Sequence, residues 1–133
     1  MPIINSISNI KKDMQEWRRY LHTIPELGFE EKKTSEFISK KLNDFGIEVH
    51  QNIAKTGIVG VLHGAKPGAT AIGLRADMDA LEMPEENNFE HKSQNNRNMH
   101  ACGHDGHIAM LLGAAKYLSE TKNFKGTVYF IFQ

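Results

Sequence analysis

Apolar residues first recur in this chain at Ile7, Ile10, Met14, Trp17 and Leu21. Spacings of three and four place them on one face of an amphipathic helix, with Asn5 or Ser6 available to cap its start and Pro25 to end it. A second such stripe, Phe37, Ile38, Leu42 and Phe45, faces inward while Lys32, Lys33, Lys40 and Lys41 face water, and Gly46 stands where a left-handed C-cap belongs. Two helices are expected.

Past Gly46 the period shortens. Ile47 and Val49, then Ile58, Val59, Val61 and Leu62, read as strands, and a turn over 65–69 precedes a further strand over 70–75, giving a hairpin or meander. Residues 81–98 are polar, rich in Glu, Asn and Gln, and form an irregular connection of the length usually kept for functional loops. Ile108, Met110, Leu111, Leu112, Ala114, Ala115, Tyr117 and Leu118 then make a helix apolar nearly all round, followed by a strand over 127–132. Strand, loop, helix, strand is a βαβ unit, so an α/β fold with parallel pairing is expected. The last strand, Val128 to Phe132, is apolar enough for a sheet interior covered on both faces. Its position at the end of the chain makes the domain look truncated after a core strand.

Composition narrows the function classes. The chain has 133 residues, 40% of them hydrophobic, which suits one domain with a real core. Sixteen basic residues balance sixteen acidic ones, which argues against a nucleic-acid partner. No apolar run approaches a membrane span, a lone Cys102 excludes an internal disulfide, and no basic-then-apolar leader is present, so a soluble, cytoplasmic protein is expected.

Three segments can carry chemistry. His100, Cys102, His104 and His107 gather three of the seven histidines and the one cysteine just before the buried helix, at the kind of strand-to-helix junction where α/β sheets bind ligands. In an extended loop Cys102 and His104 point to the same side and could share a metal. A lone Cys is also commonly a small buried hydrophobe, and His107 could merely pack at the helix start. Asp105 could favour the helix dipole or hold a ligand imidazole. Asp77 and Asp79, after the strand over 70–75, could accept turn hydrogen bonds or flank a metal. The segment Leu21 to Glu31 reads as a Pro-Gly turn, with Glu30 and Glu31 starting the second helix.

Taken together and in order, the three segments 18–31, 74–81 and 99–107 resemble the signature blocks of the hippurate hydrolase group. That group includes indoleacetyl-amino-acid hydrolases and N-acetyldiaminopimelate deacetylases, within the aminoacylase and carboxypeptidase superfamily of co-catalytic metallohydrolases. The resemblance implies the N-terminal part of a zinc-peptidase-like catalytic domain, with a mixed sheet flanked by helices and the dimerisation domain absent. It implies Cys102 and His104 as metal ligands and Asp77 as the catalytic-site aspartate, with Asp79 the less favoured choice. The cofactor implied is a pair of divalent ions, zinc, manganese, nickel or cobalt, and the substrate an N-acyl amino acid or small peptide hydrolysed at its amide. Full-length relatives are expected to be homo-oligomeric.

Members of that group are considerably longer. Their remaining ligands and a glutamate base would follow Gln133, so this chain is expected to be an inactive fragment by itself. Two other readings stay open: a hydrolase with Cys102 as nucleophile and His104 or His107 as base, and a non-enzymatic remnant or interaction module with an open sheet edge.

Overall fold

The structure, a computed structural model, describes residues 4–133. The first apolar stripe forms two helices rather than one, α1 over Asn5–Asn9 and α2 over Lys11–Thr23. They part at Ile10, whose N–H reaches back only three residues to the Ile7 carbonyl while its side chain is buried. Neither Asn5 nor Ser6 caps α1; Ile4 holds the N-cap position with no side-chain bond. The stripe continues across the break, and α2 buries Trp17, Leu21 and His22 before ending ahead of Pro25.

Helix α3, Lys32–Asp44, is capped from outside its own sequence. The Glu26 carboxylate accepts hydrogen bonds from the Lys33 and Thr34 amides at 3.1 and 2.8 Å and from the Thr34 hydroxyl at 2.8 Å. That supplies the acceptors the first helical turn lacks. Glu31, expected inside the helix, is instead a buried residue before it and accepts from the Thr56 hydroxyl at 2.6 Å. Gly46 follows the helix at φ +75°, the left-handed conformation expected of it. Of the lysines, Lys41 turns back over the rings of Trp17 and Phe37, each 5.4 Å away.

Strands β1, Glu48–Ile53, and β2, Gly57–His63, form an antiparallel hairpin. Strand β3, Lys66–Ala76, does not join them as a third meander strand. It lies at the opposite edge, because β6, Lys125–Phe132, sits between β2 and β3 in the order β1-β2-β6-β3. Helix α4, His104–Thr121, connects β3 to β6, and these two strands are parallel as the βαβ pattern requires, while β6 is antiparallel to β2. The sheet is mixed.

Strand β3 begins within the stretch expected to be a turn. Lys66 pairs with Lys125 and the register slips before Ala71 pairs with Thr127. Gly126, at φ +81°, lies at the slip; a Cβ there would come within 2.1 Å of the Thr70 carbonyl oxygen, so glycine alone permits the approach. Within the polar loop, β4, Leu81–Glu82, pairs with β5, Asn98–Met99, so the ends of the loop are clipped together.

Strand β6 is interior to the sheet as its sequence suggests, yet only one of its faces is covered. Val128, Phe130 and Phe132 enter a core with Leu21, Ile38, Leu42, Ile58, Ile108 and Leu112, whereas Tyr129 between them is 38% exposed. Among the described residues no helix is long and apolar enough to cross a membrane.

Candidate metal centre

The crossover sets the site. A helix that returns antiparallel to its strands must start beside the end of the preceding strand, so the first turn of α4 lies next to the residues after β3. There the backbone stays pinned: Gln133 N–H donates to the Ala76 carbonyl at 3.0 Å, Met78 N–H to the Gln133 carbonyl at 2.9 Å, and Ala80 N–H to the Glu26 carbonyl at 2.8 Å. Met78 and Ala80 are buried, and alternation along an extended segment turns Asp77 and Asp79 the other way, toward α4.

On α4, His104 and His107 are three residues apart and so share a face; their rings stack at 5.5 Å. Asp77 joins them. Its Oδ1 lies 2.6 Å from His107 Nδ1 and its Oδ2 3.3 Å from His104 Nε2. The other ring nitrogen of His104 faces the Asp79 carbonyl oxygen at 2.8 Å and Asp79 Oδ1 at 3.0 Å. One donor atom from each of Asp77, His104 and His107 falls within 4.8 Å of the others, so the three can surround a single cation. Burial pushes the Asp77 carboxyl up, but the His107 hydrogen bond and the charge of His104 outweigh it and hold the group below its ordinary value. Beside the cluster opens a cavity of about 480 Å³ between β3 and α4, with Leu74, Met110 and Leu111 on its walls and Arg75, Asp77 and His107 at its polar end.

Of the residues singled out in the sequence, the fold thus brings Asp77, Asp79 and His104 together and leaves Cys102 outside the cluster. Cys102 is exposed, in a turn. The same-side geometry expected of Cys102 and His104 needs extended backbone between them, and Gly103 is instead left-handed at φ +83° as the N-cap of α4. His107 is the member whose helix-packing reading understated it; its i, i+3 relation to His104 on a helix is the signal that would have found it. His100 is buried with neither ring nitrogen hydrogen-bonded, and burial lowers its pKa.

Asp105 holds no imidazole of the cluster. It is fully buried and meets His22, whose Nδ1 lies 2.7 Å from Asp105 Oδ2 and whose Nε2 lies 2.9 Å from Glu85 Oε1. Sequence spacing gave no sign of this contact, which joins residues 83 and 63 positions apart.

Residues 73–133 of this α/β fold match the model of peptidase family M20/M25/M40. The chain is 46% identical over 133 residues to the hippurate hydrolase of Campylobacter jejuni, covering all of this chain and 34% of that protein. It is 46% identical over 128 residues to the N-acyl-L-amino acid amidohydrolase of Geobacillus stearothermophilus, covering 96% of this chain and 34% of the relative. Among solved structures it superimposes on the YXEP protein of Bacillus subtilis, a dinuclear metal-binding peptidase from the M20 family, with a TM-score of 0.89 and 38% identity, over 95% of this chain and 36% of that one. The chain is therefore a relative of the hippurate hydrolase and N-acyl-amino-acid amidohydrolase group, aligned with its N-terminal portion, and spans about a third of the length of these proteins.

Proposed function

We propose that this chain carries part of the metal centre of a metal-dependent hydrolase acting on the amide bond of N-acyl amino acids or small peptides. The convergence of Asp77, His104 and His107 on one point carries the reading, because two imidazoles and a carboxylate are a donor set suited to zinc, manganese, nickel or cobalt. Cys102 enters as a ligand through the family resemblance alone, and its exposure leaves the thiol accessible to a second ion, as in a two-ion site. A divalent cation held there would polarise the scissile carbonyl and lower the pKa of a bound water.

The chain's own residues do the positioning. Asp79 accepts the hydrogen bond of the His104 Nδ1–H, so that Nε2 is the ring nitrogen a cation would take, and Asp77 supplies the compensating negative charge. Nothing in the cluster among the described residues is placed as a general base apart from the donors themselves, so the isolated chain should be inactive and a longer chain competent. Hippurate hydrolysis by this chain and by a version extended to the length of the relatives tests this. Activity confined to the longer protein and abolished by a chelator is expected. Activity that survives the chelator but not a thiol alkylating agent would instead make Cys102 the nucleophile.

One observation favours a second reading. Among the described residues strand β3 has a strand neighbour on one side alone, and nearly all of its own residues are exposed, so its other edge offers backbone donors and acceptors to another chain. Sedimentation of the metal-free chain checks it: a monomer at all concentrations would rule out recruitment through that edge.

A further inference from the structure

His22 lies outside the candidate metal centre and is spent on two carboxylates. Asp105 and Glu85, which its ring bridges, have side chains only 1% and 2% exposed. Carboxylates accept and do not donate, so an imidazole bonded through both nitrogens carries a proton on each and a positive charge. It has no lone pair left for a metal.

What the bridge holds is the start of α4. Asp105 sits between His104 and His107, and its other oxygen accepts the Gly106 N–H at 2.9 Å. Arg18 Nε lies 3.6 Å from Oδ2, the oxygen that His22 also meets. Glu85 is itself fixed by the Ser93 N–H and by Asn87 Nδ2, so one imidazole fastens both the helix start and the polar loop to α2. We propose that His22 is a positioning residue for the metal centre: through Asp105 it sets the rotation of the first turn of α4 and hence the direction in which His104 and His107 face Asp77. This rests on the metal-centre reading above. A side chain that merely anchored the loop would affect stability without affecting how tightly the folded protein holds a cation.

The test is cobalt(II) titration of the folded chain, followed by visible absorption, together with amide hydrogen exchange of the metal-free protein. His22→Gln keeps one donor and removes the second donor and the charge. It should weaken cobalt(II) binding by about tenfold or more, the scale seen when a partner outside the ligand set is lost. Exchange at Gly106 and His107 should quicken relative to Leu112 and Ala115 farther along the helix. Glu85→Gln, which frees the loop and leaves the Asp105 contact, should change cobalt(II) affinity little. If His22→Gln does not fold, Asp105→Asn alters the same contact from the other side and should show the same weakening. Equal cobalt(II) affinity in wild type and in the contact variant overturns the positioning role, as does an equal loss in Glu85→Gln. Failure of the wild type to bind cobalt(II) overturns the metal-centre reading itself, and this proposal with it.

Discussion

Asp79 presents two oxygens to a single nitrogen of His104: its carbonyl at 2.8 Å and its Oδ1 at 3.0 Å both face Nδ1. A proton is thereby held on Nδ1, which makes Nε2, beside Asp77, the nitrogen a cation would take. Because the carbonyl remains after the side chain is removed, Asp79→Ala should weaken cobalt(II) binding by about tenfold or less. Asp77→Ala removes a donor of the cluster and should cost clearly more. Isothermal titration of both variants checks the order; equal losses would contradict it.

The His22 bridge makes stability depend on pH at both ends. Burial works against the Glu85 carboxylate, yet the hydrogen bonds from Asn87, Ser93 and His22 pull its pKa down from 4.5 to about 2. A depressed acid stabilises the fold above its unfolded value, so this contribution is present above pH 4.5 and lost as pH falls toward about 2. For His22, burial alone would lower the pKa, but Glu85 and Asp105 together raise it above 6.5. Its contribution is complete below pH 6.5 and is lost as pH rises through the raised value. Melting temperatures measured from acid to alkaline pH should show both losses in the wild type. The difference between wild type and Glu85→Gln should shrink as pH falls below 4.5; a constant difference would be the contrary result.

Cys102 is exposed, so its reactivity reads its role directly. A thiolate bound to zinc reacts slowly with iodoacetamide, whereas a free thiol reacts at its ordinary rate. Saturating zinc should therefore slow alkylation of Cys102 severalfold, and the protection should disappear in His104→Ala. An alkylation rate indifferent to zinc excludes Cys102 from the ligand set.

Much of the architecture was legible because it rests on local periodicity. The stripe of α2, the apolar helix α4 and the βαβ handover to β6 follow from spacing alone. The insertion of β6 between β2 and β3 did not, since no local pattern states which strands pair. The cap on α3 was missed for the same reason, Glu26 reaching forward across a turn to the Thr34 amide. At the site, the segment 74–81 offers Asp77 and Asp79 equally and the resemblance alone prefers Asp77, while the separation of Cys102 from His104 by the left-handed backbone of Gly103 is something a pattern of residue types does not reveal. His22 was hidden because its partners, Glu85 and Asp105, are remote in sequence.

Neighbouring positions on β6 test the one-sided sheet. Phe130 is fully buried in the core, and Phe130→Ala should destabilise by about 3–5 kcal/mol. Tyr129 points to the open face, and Tyr129→Ala should stay within about 1 kcal/mol. Denaturant unfolding resolves the two, and comparable losses would mean that the outer face is also packed.

The convergence of Asp77, His104 and His107 is tested most directly by cobalt(II) titration of the metal-free chain, followed by its visible absorption, in wild type, Asp77→Ala, His104→Ala and His107→Ala. Saturable binding in the wild type that is strongly weakened in each of the three variants is predicted. No binding by the wild type, or binding that all three variants retain at the same affinity, would contradict a metal centre at this place.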